Sequence, residues 1–252
     1  MHILLANDDG IFAPGLAAIY KELQSFGDVT VVAPADVRSG AGHSITIREP
    51  LVVNEVNVNG IFTGYSVMGS PADCVKLGVL ELAPKPIDLV VSGINNGANV
   101  GIDVYYSGTV AAAMEGAFYR IPSVAMSMTL EEPMDYETGA GYCGAMLRKL
   151  LELGQFEVMN VNLPSLSQGR PKGIKVVEQS QHGGRDNYAK EKNGEGRVVY
   201  WLKAPVGTKE TEPTDVTEIL KGYITVTALH HSMTNHKMMK KLAEIDWQTK
   251  EV

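Results

Sequence analysis

Basic residues are in short supply. Lys and Arg total 22 against 29 Asp and Glu, a net charge of −7 with histidine neutral. That balance excludes the broad basic face a nucleic-acid-binding surface needs. Small anionic substrates stay open if a bound cation supplies local positive charge. Cysteine is scarcer still: Cys74 and Cys143 are the only two, each in an apolar helical pattern. They read as small core residues, which excludes a disulfide or zinc framework. No apolar run approaches the roughly 20 residues of a membrane span, so no membrane partner is expected. No signal-peptide pattern precedes the first apolar run, and a cytoplasmic protein is the expectation. A Gly-x-x-x-x-Gly-Lys-Ser/Thr loop and a Gly-x-Ser-x-Gly elbow are also missing. Gly40 and Gly42 lack the third glycine of a dinucleotide fingerprint, and their loop leads into a strand pattern.

What remains is an ordinary globular composition over 252 residues, enough for one large α/β domain or a core with an extension. Apolar runs at Ile3–Ala6, Val29–Pro34, Ile87–Ser92, Ser123–Met128 and Val158–Leu163 read as buried strands. Helical patterns at Gly15–Phe26, Ser70–Leu82, Ser107–Ala117 and Tyr136–Leu153 alternate with them. Such alternation predicts a mostly parallel sheet with helices on both faces. Ser44–Arg48, Leu51–Val58 and Phe62–Met68 read as antiparallel strands, with Asn59-Gly60 as a turn. Beyond Pro164 the pattern becomes β-rich: strands at Ile174–Gln179, Val198–Lys203 and Tyr223–Ala228, then a short helix at Met238–Ile245. The charged, Gly-rich Gln181–Gly196 stretch reads as a mobile loop or an oligomer arm.

The chemistry gathers in the loops. Asn7-Asp8-Asp9-Gly10 follows the first strand, Ser39–Gly42 lies beyond the second, and Asn95–Asn99 follows the third parallel strand. In a doubly wound sheet all three reach the carboxyl edge, where ligands bind. Adjacent carboxylates repel one another unless a cation or proton intervenes. Together the loops offer two carboxylates, a hydroxyl and amide oxygens, a set suited to Mg²⁺, Mn²⁺ or Ca²⁺. Ser107-Gly108-Thr109 then opens a small-residue helix, whose free amides and dipole favour a phosphate.

Each feature also has a plainer reading. Asp8-Asp9 suits a solvated acidic turn, Ser107 a simple helix cap, and the asparagines Asx turns. His43 either orients a substrate, protonates a leaving group, or makes a structural hydrogen bond. His230, His231 and His236, far from the metal loops in sequence, read as surface or interface residues.

Taken together the motifs resemble the SurE family of stationary-phase survival proteins. The matching pieces are Ile3–Ile11 with Ala13-Pro14-Gly15, Ala33-Pro34, Arg38-Ser39-Gly40, Gly69–Val75, Ser92–Gly97 and Tyr106–Ala112. Weaker agreement returns at Asp215-Val216-Thr217 and Gly222-Tyr223-Ile224, while Gly169–Glu212 matches nothing. Ala6 stands where many members carry a hydroxyl residue. The resemblance implies a Rossmann-like core over about residues 1–165 of a single 1–252 domain. A C-terminal extension over about 166–252 would serve a homodimer or homotetramer. It further implies a divalent-metal-dependent 5′-nucleotidase acting on nucleoside monophosphates, with 3′-monophosphates and short polyphosphate as further candidates. Asp8, Asp9, Ser39 and Asn95 would hold one Mg²⁺ or Mn²⁺, and Asn96, Ser107, Gly108 and Thr109 would contact phosphate. Metal-activated water would attack phosphorus, with Asp8 or Asp9 taking its proton. A phosphatase working through an aspartyl-phosphate, and a non-catalytic nucleotide sensor, are the competing readings.

Overall fold

The computed structural model describes residues 1–181, 187–203, 210–245 and 247. Its strands are β1 (His2–Ala6), β2 (Asp28–Pro34), β3 (Val53–Val58), β4 (Phe62–Val67), β5 (Leu89–Asn96) and β6 (Ser123–Met128). They continue with β7 (Val158–Leu163), β8 (Ile174–Val176), β9 (Asn187–Lys192), β10 (Val198–Lys203) and β11 (Ile224–Leu229). The helices are α1 (Pro14–Leu23), α2 (Pro71–Leu77), α3 (Gly108–Phe118), α4 (Tyr136–Leu151), α5 (Asp215–Leu220) and α6 (His236–Ala243).

β1 lies inside a nine-stranded sheet of order β3-β4-β2-β1-β5-β6-β7-β11-β8, and all five of its residues are buried. A strand covered on both faces reads as an unbroken apolar run. Its side chains nevertheless alternate. Ile3 and Leu5 join a cluster with Leu16, Ile19 and Leu23 of α1 and Leu147 of α4. Leu4 and Ala6 point the other way, to Cys74 and Val75 of α2 and Ala112 of α3. Both cysteines are buried and free, as their helical settings predicted.

β4, β2, β1, β5, β6 and β7 pair in parallel, while β3 and β11 run antiparallel to β4 and β7. The chain passes from β1 to β2 on one side, and β5 flanks β1 on the other. The order of winding reverses there, opening a crevice at the carboxyl ends of β1 and β5. Strands β11 and β8 extend the main sheet, and β9 pairs with β10 in a separate hairpin. None of the described helices is long and apolar enough to cross a membrane.

Several local expectations change. Ser44–Arg48 is irregular instead of a strand, because Thr46 bonds Asp73 through its amide (2.9 Å) and hydroxyl (2.8 Å). α2 ends at Leu77, and one π-helical turn, Gly78–Leu82, follows. Asn95 and Asn96 belong to β5, beyond a register shift between Ser92 and Asn95, and not to a loop. Of the expected Gln181–Gly196 loop, residues 182–186 lie outside the described residues, and Asn187–Lys192 forms β9. Its charged composition hid a solvent-facing hairpin. α5 escaped notice because six residues carry too little periodicity, although Thr214 caps it.

Candidate metal and phosphate site

The turn after β1 is shaped by a residue that sequence reasoning left without a role. Asn7 is fully buried; its Nδ2 donates to the Gly10 carbonyl (2.9 Å) and its Oδ1 accepts the Gly10 N–H (3.2 Å). This Asx-type closure, with Gly10 at a φ of 96°, holds Asp8 and Asp9 on a tight loop at the crevice.

Asp8 is only 3% exposed. The Thr109 hydroxyl donates a very short hydrogen bond to its Oδ1. Burial raises the Asp8 pKa above the ordinary aspartate value, the Thr109 bond pulls it back, and the charge of Asp9 raises it again. Asp9 is half-buried, and its Oδ2 accepts the Asn96 N–H at 3.2 Å. Desolvation raises its pKa too, against that one bond. Neither carboxylate forms an ion pair with Lys or Arg among the described residues.

Three other elements converge on the pair. Asn95 donates from Nδ2 to the Gly97 carbonyl (2.7 Å), and its Oδ1 accepts no hydrogen bond among the described residues. The Arg38 N–H donates to the Asp8 carbonyl (2.7 Å), bringing the loop with exposed Ser39 alongside. The start of α3 is pressed hardest against Asp8. A Cβ on Gly108 would lie 2.7 Å from the Asp8 Cβ and 2.9 Å from the Pro71 Cγ. Ser107 caps α3 by accepting the Val110 N–H (3.0 Å). The Thr109 hydroxyl and N–H are both directed at the Asp8 carboxylate, and the Gly108 N–H donates to no acceptor among the described residues.

The structure therefore brings Asp8, Asp9, Asn95, Asn96, Gly108 and Thr109 together, with Ser39 beside them on its loop. A hard divalent cation fits this donor set. Two adjacent, desolvated carboxylates lack a basic partner, and an amide oxygen is uncommitted close by.

Beside the α3 start opens a groove of about 1060 Å³ lined by Ser107, Tyr105, His43, Phe118, His230 and His231, among others. His230 and His231 thus share a groove with Ser107 despite their distance in sequence, whereas His236 does not line it. His231 Nδ1 lies 2.9 Å and His230 Nε2 3.5 Å from Glu157 carboxylate oxygens. His230 Nδ1 accepts the Ser232 N–H (2.9 Å), so neutral His230 carries its proton on Nε2, not a metal-binding lone pair. Glu115, also without a role in the sequence reading, is a buried acid on α3 bonded to His43.

A family model described as survival protein SurE matches residues 3–186. A 5′-nucleotidase SurE from Syntrophobacter fumaroxidans is 41% identical over 247 residues, 97% of this chain and 99% of that protein. Another from Rhodopirellula baltica is 43% identical over 253 residues, 98% of each chain. The crystal structure of a SurE protein from Aquifex aeolicus superposes with a TM-score of 0.83 at 41% identity, covering 96% of this chain and 98% of that one.

Proposed function

The chain belongs to the survival protein SurE family, and on that premise we propose that Asp8, Asp9, Ser39 and Asn95 hold the divalent cation of a nucleoside monophosphate phosphatase. The enzyme is a 5′-nucleotidase, a phosphoric monoester hydrolase. The carrying observation is the Asp8–Asp9 pair at the topological switch point: adjacent, one buried and one half-buried, and without a basic partner among the described residues. The cation is Mg²⁺ or Mn²⁺, in keeping with the all-oxygen donors. When bound, it supplies Lewis-acid stabilisation of phosphate charge and a more acidic water.

The chain's own residues do the rest. Thr109 fixes the Asp8 carboxylate with Oδ2 turned from the hydrogen bond. The Gly108 N–H, at the positive end of α3, stabilises negative charge on the phosphoryl oxygens. Asn96 and the Ser107 hydroxyl are assigned to contact the same phosphate. Asp9, the more open carboxylate, accepts the proton of the attacking water through its free oxygen. The bond between phosphorus and the nucleoside oxygen breaks, that oxygen takes a proton from solvent water, and the nucleoside leaves as the free alcohol. In the same proposal the protein is a cytoplasmic homodimer or homotetramer. Exposed apolar side chains on β8 and β10, among them Val176 at 82% and Trp201 at 59%, support assembly through the C-terminal region.

The test is phosphate release from a panel of nucleoside monophosphates with Mn²⁺, Mg²⁺ or chelator. Release that requires metal and disappears in Asp9→Asn is the expected result. Stoichiometric nucleotide binding without release under either metal would replace the enzyme with a sensor. A trapped phosphoryl group on Asp8 or Asp9 would replace direct water attack.

A further inference from the structure

Glu115 lies on α3 with its side chain only 3% exposed, yet it is charged on both flanks. His43 Nε2 reaches Oε2 at 2.8 Å, and Lys76 Nζ of α2 reaches Oε1 at 2.7 Å. Burial alone would raise the Glu115 pKa, but the bonds and charges of His43 and Lys76 prevail and hold it below the ordinary range. An ionised carboxylate only accepts, so the His43 Nε2 carries the proton and donates. The ring of His43 stacks on Phe118, with centroids 5.2 Å apart and planes 13° from parallel. Lys76 also donates to the Tyr119 hydroxyl at 3.2 Å, which keeps α2 and α3 joined at the same point.

The segment that ends at His43 is held at both ends. It is tied to Asp8 at one end through the Arg38 N–H, and to Tyr106 at the other through the Gly42 N–H (2.9 Å). Between these ties lies Ser39, exposed and without a hydrogen bond of its own among the described residues. Gly40 and Gly42, at φ of 71° and 54°, make this stretch intrinsically permissive. Glu115 follows Thr109 by six residues, about 9 Å along the helix axis. The helix that buttresses Asp8 thus also anchors the far end of the Ser39 loop.

We propose that His43 is a positioning residue, and that its bond to buried Glu115 latches the 38–43 loop so that Ser39 stands at the Asp8–Asp9 cation site. The assignment rests on the cation site proposed above. Ser39 contributes a neutral hydroxyl, a weak ligand whose affinity depends on being held in place. A flexible, two-glycine loop would otherwise lose conformational entropy whenever the cation bound.

The test compares His43→Leu, which fills the space against Phe118 without a donor, with His43→Gln, which keeps an N–H. Two quantities are measured on the full chain without substrate. One is the Mn²⁺ dissociation constant by calorimetry. The other is hydrogen exchange of the Arg38, Ala41 and Gly42 amides in metal-free protein. His43→Leu is expected to weaken Mn²⁺ by about tenfold and to speed exchange of those amides. His43→Gln is expected to retain wild-type behaviour in both. Unchanged affinity and exchange in His43→Leu would overturn the latch. So would His43→Gln as impaired as His43→Leu, since the imidazole itself and not its donated bond would then matter. Wild-type protein that binds no Mn²⁺ would sink the cation site and the latch together, whereas the first two outcomes sink the latch alone.

Discussion

The Thr109 hydroxyl donates to Oδ1 of Asp8 across 101 residues of chain, joining the first turn of α3 to the loop after β1. This bond is the chief influence that lowers the Asp8 pKa against burial. Thr109→Val should therefore leave Asp8 less ionised and less oriented, with cation affinity falling about 10- to 100-fold. Thr109→Ser should recover most of the loss. Calorimetric Mn²⁺ titration of both variants checks it, and equal affinities would refute it.

Gly108→Ala tests how tightly α3 meets the same carboxylate. The added Cβ would lie 2.7 Å from the Asp8 Cβ and 2.9 Å from the Pro71 Cγ, too close for either to remain in place. Overpacking of this kind costs about 1–3 kcal/mol, and here it also displaces Asp8. Both the melting temperature and phosphatase activity should fall. Gly141→Ala, where an added Cβ meets nothing within 4 Å, is the control.

Cation binding should stabilise the fold by mass action. At a hundredfold excess over its dissociation constant, Mn²⁺ adds about 2.7 kcal/mol to a state that alone binds it. Chelator should remove the increment, and Asp8→Asn should abolish it without unfolding the protein. A thermal-denaturation series with and without Mn²⁺ reads this directly.

Glu115 should leave an acid limb on the stability curve. Its folded pKa is held down by His43 and Lys76, although burial opposes them. A carboxyl depressed in the folded state contributes stability above its unfolded pKa and loses it as pH falls through the lower folded value. Between about pH 5 and pH 3 the wild type should thus lose stability more steeply than Glu115→Gln. Denaturant midpoints measured at each pH decide it; parallel curves would count against an ionised Glu115.

Asp73 joins a helix cap to the loop that follows His43. It accepts from the Ser70 N–H (2.9 Å), the Thr46 N–H (2.9 Å) and the Thr46 hydroxyl (2.8 Å). Ser70 in turn caps α2 through the Asp73 N–H (3.0 Å) and donates to the Ser44 carbonyl (2.6 Å). Asp73→Ala removes several of these bonds together, so a loss of about 2 kcal/mol or more is expected from denaturant unfolding. Ser70→Ala, which removes the cap and the bond to Ser44 but leaves the Asp73 carboxylate in place, should cost about 1 kcal/mol or slightly more.

Much of this architecture was legible in the chain, for local reasons. β1 is apolar from Ile3 to Ala6 because both its faces are covered, as an interior parallel strand requires. Ser70-Pro71 and Ser107-Gly108 mark helix starts because caps act over three residues. The Asp8-Asp9 turn stood out for the same reason, as two like charges beside an apolar run. Where partners are distant, local pattern failed. Ser44–Arg48 alternates like a strand but meets Asp73 instead of a neighbouring ladder. Asn95 and Asn96 look like loop residues, yet pairing with β6 at Ser127 and Met128 keeps them in the sheet.

By itself the sequence determined the alternation of strands and helices, the turn that carries the acidic pair, and the family to which the motifs belong. These follow from side-chain periodicity and short-range hydrogen bonding, which any segment of ten residues expresses. Tertiary structure alone decided that Thr109 serves Asp8, that a buried Glu115 faces His43 and Lys76, and that His230 shares a groove with Ser107. Each depends on which helix face meets which strand end. That choice is made by packing across the whole sheet, and no local window contains it.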